Sequence, residues 1–214
     1  MPGLLYLIKK EGEIYLINCI AIKKQLCKIE NNWLKAADYL YNHWVKNKSN
    51  ANLTVLLIQQ MMTYILDIDN GYEEDLHINN NGLNENLGIF YNYLHQAVKY
   101  GNDHCCNSRY YLWQICYYYK FVYTYYPIMD VENKVKDYKK LYTELLAKAI
   151  LQFPDSLLFK LMEKDKGNIT YMSLSDIEKR TLSEEISNFE LQNNMTDLIV
   201  RDYFESMYDI KISS

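Results

Sequence analysis

Residues 109–126 read RYYLWQICYYYKFVYTYY and are closed by Pro127. Coiled as a helix, this stretch is apolar or aromatic on nearly every face, with strong interruptions only at Arg109, Gln114 and Lys120. A helix without a water side belongs in the interior of a fold. The rest of the chain must then supply apolar faces to cover it. Seven glycines and three prolines in 214 residues leave little punctuation for the tight turns of an all-β fold, so those faces are expected on helices. The expected fold is all-α: a single helical domain over residues 1–214, built of antiparallel helical hairpins or an irregular bundle around the central aromatic helix.

The pattern on either side fits that plan. Residues 4–9 and 14–20 flank Glu11-Gly12-Glu13, which suits a short N-terminal β-hairpin; the rival reading continues Ile17, Ile20, Ala21 and Lys24 into a helix. Trp33, Ala36, Ala37, Leu40 and Trp44 share one helical face behind Asn31 and Asn32 as caps. After a polar break, Leu53, Leu56, Leu57, Met61, Tyr64, Ile65 and Ile68 make a second stripe. Residues 69–86, with Gly71, Gly82 and Asn79-Asn80-Asn81, are expected to form a long polar loop, where function tends to concentrate. Leu87, Phe90, Tyr91, Leu94 and Val98 predict a helix over 85–100, capped by Gly101, and Asn107 and Ser108 offer caps for the aromatic helix.

Beyond Pro127 the cleanest amphipathic pattern is Val131, Val135, Tyr138, Leu141, Tyr142, Leu145, Leu146 and Ala149, stopped by Pro154. Asp155 and Ser156 can cap a short helix bearing Leu157, Leu158, Leu161 and Met162. Ser175-x-x-Glu178 and Thr181-x-x-Glu184 are alternative capping boxes for one helix or two with Ile177, Leu182, Ile186 and Phe189, and a last helix is expected over 196–208.

Ala149-Ile-Leu-Gln-Phe-Pro154-Asp-Ser resembles the Ala-x4-Pro junction of the tetratricopeptide class of helical repeats, and Ala37-x3-Tyr41 resembles its Ala-x3-Tyr pair. The likeness covers these two junctions. The family's Trp-Leu-Gly-Tyr half is missing from both, and no fixed period of about 34 residues runs along the chain. What the resemblance implies is helical hairpins and a protein-binding groove.

Charge and cysteine usage narrow the function classes. The net charge is −4, and only Arg109, Arg180 and Arg201 among the 23 basic residues are arginines. Nucleic-acid binding calls for a basic face rich in bidentate phosphate binders, so no nucleic-acid partner is expected. An acidic surface suits a basic protein partner. Cys19, Cys27, Cys105, Cys106 and Cys116 are odd in number and irregularly spaced, which reads as reduced thiols in a cytoplasmic protein. The apolar runs at 4–8 and 14–22 fall short of the roughly 20 residues of a membrane span, and no small-residue cleavage site follows the second, so no membrane is expected as a partner.

Chemical motifs are sparse. His95, His104, Cys105, Cys106 and Cys116 are the densest set of potential zinc ligands, yet they contain no Cys-x-x-Cys, and adjacent cysteines point apart. Glu74-x-x-His77 is half of a di-iron motif without its second pair. Asp67, Asp69, Gly71 and Glu73 suggest a calcium loop, but counting back from the glycine puts Leu66 at the first ligand position. His104 beside Cys105 is a poor nucleophile pair, because sequence neighbours rarely converge on one substrate. No phosphate-binding glycine loop or nucleophile elbow is present. No cofactor, metal or catalytic residue is therefore assigned.

The aromatic stretch permits base stacking, a protein interface, or plain burial with hydroxyls reaching the rim. The interface candidates are Tyr110, Trp113, Tyr117, Tyr118 and Tyr125 from this stretch, with Asp69, Tyr72, Glu73, Glu74 and Asp75 from the polar loop. The function expected is that of a non-enzymatic intracellular protein-binding module, such as an inhibitor or immunity protein that neutralises a basic toxin domain. Its rivals are an enzyme or small-ligand or metal-binding protein with a site near the 95–116 His/Cys cluster, and a structural helical adaptor.

Overall fold

The computed structural model describes residues 22, 25–26, 28–29, 32–69, 83–124, 135–164 and 174–193. Seven helices account for nearly all of them: α1 Trp33–Lys46, α2 Ala51–Asp69, α3 Leu83–His104, α4 Arg109–Thr124, α5 Val135–Gln152, α6 Leu157–Lys164 and α7 Asp176–Asn193. Among the described residues there is no strand, so the fold class there is all-α. The expected hairpin at 4–20, the middle of the polar loop at 70–82 and the expected helix at 196–208 lie outside the described residues. The chain divides into two compact units, the first holding the described residues up to Gly101 and the second those from Asn102 to Gln192.

In the first unit, α1 begins where the Asn32 side chain accepts the Lys35 backbone N–H at 2.9 Å, satisfying one of the free donors of a helix N-terminus. Its buried residues, Trp33, Ala36, Ala37, Leu40 and Trp44, are the face given by sequence spacing. The helix ends at Asn47, whose side-chain amide donates to the His43 carbonyl at 2.9 Å. α2 packs on α1: Trp33 stacks on Tyr64 at 5.3 Å, and Trp44 Nε1 donates to Thr54 Oγ1 at 3.0 Å, which satisfies two buried polar groups at once.

The apolar stripe expected on α2 is too narrow. Leu53, Thr54, Val55, Leu56, Leu57 and Ile58 are consecutive and all buried, more than a full turn of helix. By length and composition alone α2 could cross a membrane, but most of it is buried inside the structure. From α3, Phe90, Leu94, Ala97 and Val98 complete this core. Gly101 is helical, and α3 continues to His104; the expected cap there is corrected to a position inside the helix. The extra turn carries Asn102 to two tyrosine hydroxyls of α4, and these tertiary hydrogen bonds outweigh the glycine's poor helix propensity.

In the second unit, Ser108 caps α4, accepting the Tyr111 N–H on its Oγ at 3.3 Å and the Leu112 N–H on its carbonyl at 3.0 Å. α4 packs extensively on α5 through rings: Tyr138 meets Tyr118 edge-on at 6.0 Å and Tyr119 at 5.4 Å, and Tyr142 meets Tyr123 at 5.7 Å. Pro154 lies in the turn after α5, and α6 packs back on α5 through Phe153 with Phe159 and through a hydrogen bond from the Tyr142 hydroxyl to the Met162 carbonyl at 2.9 Å. For α7 the first of the two capping boxes is used: Glu178 accepts the Ser175 N–H at 2.9 Å, and Ser175 Oγ accepts the Glu178 N–H at 3.3 Å. Ile177, expected on the apolar face of α7, is 77% exposed, whereas Leu182 is buried.

Candidate protein-interaction surface

α4 carries most of the candidate residues, and its burial decides which of them can meet a partner. Tyr111, Leu112, Trp113, Gln114, Ile115 and Cys116 are consecutive and buried, so this part of the helix is enclosed around its circumference, as its composition demands. Tyr118, Tyr119 and Val122 continue the buried side. Trp113 and Tyr118 therefore have no surface of their own to offer, and as interface residues they are corrected to core: an aromatic ring in the middle of an enclosed helix buries its area rather than displaying it.

What remains part-exposed is a stripe. Tyr110, Tyr117 and Phe121 follow at spacings of seven and four, which puts them on one narrow arc of the helix. Tyr117 stacks on buried Trp113 at 5.7 Å and meets Phe121 at 5.8 Å, so part-exposed Tyr117 stands on a buried ring and Phe121 packs against Tyr117. Phe121 was not among the sequence candidates, although its place four residues after Tyr117 is the signal that finds it. Asp69 ends α2, while Tyr72, Glu73, Glu74, Asp75 and Tyr125 lie outside the described residues.

The start of the stripe is anchored by Arg109 and Glu185. The Arg109 guanidinium lies over the Phe153 ring at 4.9 Å and reaches the Glu185 carboxylate at 3.8 Å. Glu185 accepts the backbone N–H groups of Leu157 at 2.7 Å and Leu158 at 3.2 Å, and the Ser156 hydroxyl donates to its other oxygen. A carboxylate of α7 thus caps α6 from across the unit, and the helix dipole favours its negative charge there. Local sequence offers Asp155 and Ser156 as caps, but the Ser156 hydroxyl is used to hold the carboxylate that does the capping. Beside this anchor, burial raises the Tyr110 phenol above its ordinary pKa, with the Arg109 charge opposing the shift.

The His/Cys set does not assemble. Among the described residues no three His, Cys, Asp or Glu side chains gather in a group able to hold a metal ion. Cys106 Sγ donates to the Asn102 carbonyl at 3.0 Å, Cys105 is buried, and burial pushes the Cys116 thiol far up, which keeps it protonated and unsuited to bind metal or attack a substrate at neutral pH. Asn102 is the polar centre of this corner: its side-chain oxygen accepts from Tyr111 at 2.8 Å and its amide donates to the Tyr119 hydroxyl at 2.7 Å. Comparison with known proteins finds no matching family model, no matching curated sequence and no matching solved structure.

Proposed function

We propose that this chain is a non-enzymatic cytoplasmic protein-binding module and that the Tyr110–Tyr117–Phe121 stripe of α4 is the face it presents. The observation that carries the reading is a part-exposed aromatic ladder oriented by a buried ring, since tyrosine gives large contact area with a polar handle at small entropic cost. The net charge of −4 supports a basic partner and opposes a nucleic acid. An inhibitor or immunity protein that neutralises a basic toxin domain fits this combination. The packed helix pairs α1–α2 and α5–α6 support a tetratricopeptide-like hairpin arrangement as the finer version of the fold. The test is affinity capture from the native host with wild type and Tyr117→Ala. One stoichiometric protein partner is expected with wild type, and the variant should lose it while keeping the helical circular-dichroism spectrum of the folded protein. Absence of any stoichiometric partner sinks the proposal.

A further inference from the structure

A second group of rings, in the first unit, has no part in that reading. Tyr41 of α1 and Tyr93 of α3 stack face to face, with centroids 3.8 Å apart and planes within 7°. Both rings are part-exposed. Each hydroxyl donates to the opposite helix: Tyr93 to the Asp38 carboxylate at 2.7 Å, and Tyr41 to the Gln96 side-chain oxygen at 2.6 Å. Behind Tyr41 lies buried Trp44 at 5.6 Å, and behind Trp44 lies Tyr100 at 5.7 Å. Tyrosine and tryptophan rings can each give up one electron without a metal, and a vacancy can pass between rings in near contact.

We propose that the Tyr41–Tyr93 pair is a one-electron oxidation site, the end point of the ring chain Tyr100–Trp44–Tyr41–Tyr93, with Asp38 as the proton acceptor. The charges are arranged to drive a vacancy that way. The Lys48 ammonium sits over Trp44 at 4.7 Å and over Tyr100 at 5.5 Å, which disfavours positive charge at that end of the chain. The Asp38 carboxylate favours it at the other end. The stack then spreads the vacancy over two rings. In the step itself an outer-sphere metal-complex oxidant of the tris(bipyridine)ruthenium(III) class takes one electron from the pair and is reduced to the ruthenium(II) complex. The phenolic proton of Tyr93 passes along its hydrogen bond to Asp38, leaving a neutral tyrosyl radical and a protonated carboxyl, and no other bond changes. Burial, with the hydrogen bond to Asp38 next, holds the Tyr93 phenol well above its ordinary pKa, so the proton leaves together with the electron rather than ahead of it.

The test uses the whole protein, brief illumination with tris(bipyridine)ruthenium(II) and persulfate, and a nitroso spin trap whose adducts are located by peptide mass spectrometry. Adducts should concentrate on Tyr41 and Tyr93, above the similarly part-exposed Tyr39, Tyr110, Tyr117 and Tyr123. Asp38→Asn should lower the Tyr93 yield by about tenfold, the scale on which a charge-assisted hydrogen bond exceeds a neutral one. Adducts spread over the part-exposed tyrosines in proportion to exposure would overturn the proposal, as would a folded Asp38→Asn protein with an undiminished Tyr93 yield. If that variant fails to fold, the wild-type distribution decides.

Discussion

α2 and α4 are the enclosed helices of their respective units, and they are enclosed at different expense. The buried turns of α2 are mostly aliphatic; Thr54, whose hydroxyl accepts from Trp44, and Tyr64 are the buried side chains there that carry a hydroxyl. α4 is lined with tyrosines, and every buried tyrosine brings a hydroxyl that must find a partner. An aliphatic core helix asks its neighbours for shape alone; an aromatic one with phenols also asks for polar atoms in fixed places. The second unit meets that demand with Asn102 between Tyr111 and Tyr119, and it buries Gln114 and Lys120 on the same helix.

The largest effects should come from the rings under both helices. Replacing Trp113 or Trp44 by Ala should lower unfolding free energy by about 3–5 kcal/mol. Followed by hydrogen exchange, each loss should fall mainly within its own unit, and equal loss of protection in both units would break the comparison. Glu185→Ala should follow at about 1–3 kcal/mol, since it leaves the N-terminus of α6 uncapped and Arg109 without its carboxylate; an urea midpoint unchanged from wild type would remove the cap from the account.

Lys120 sharpens the comparison through pH. Burial lowers its pKa from an ordinary 10.5 to about 8. Between those values the unfolded chain holds the proton that the folded chain has released, so Lys120 makes stability rise as pH increases from about 8, until the Cys116 thiol, which the unfolded chain ionises from its ordinary 9.0 and the folded chain keeps protonated, begins to oppose the rise. Above about 10 the sign reverses: buried Tyr64 and Tyr111 and part-exposed Tyr93 have raised pKa values, the unfolded tyrosines ionise first, and the folded state loses ground. Lys120→Met should gain about 1–2 kcal/mol at neutral pH and flatten the rise between those limits. A slope left intact by that change would assign it to other groups.

Smallest of all is Gly88→Ala on α3 of the first unit. Gly88 is exposed and helical, and a Cβ there meets nothing within 4 Å, so the change should stabilise by about 0.5–1 kcal/mol in thermal unfolding. Together these variants separate packing, capping, buried charge and backbone entropy, each in the unit where it dominates.

Much of the first unit could be read from the sequence. The five-residue face of α1 and the Asn32 cap follow from spacing and local chemistry, because one helix side meets water and the other does not. The enclosure of α4 was legible for the opposite reason, since no face of it was polar enough to be outside. Spacing failed where a distant group took over a local role. Ser156 reads as a cap until Glu185, 29 residues away, arrives to do the capping. Gly101 reads as a helix end until Asn102 is claimed by two hydroxyls. The division of the aromatic stretch into core Trp113 and Tyr118 and part-exposed Tyr110 and Tyr117 was likewise hidden, because four aromatic residues carry the same local signal.

By itself, then, the sequence determined that this chain is helical in its described part and which faces of its amphipathic helices are buried. Those properties follow from period and composition, which act between residues three or four apart. Tertiary structure decided which tyrosines of α4 stay at the surface, which carboxylate caps α6, and which two phenols stack across α1 and α3. Each of those depends on groups brought together from separate helices, and hydrogen-bond and ring contacts across that distance in sequence have no local signature.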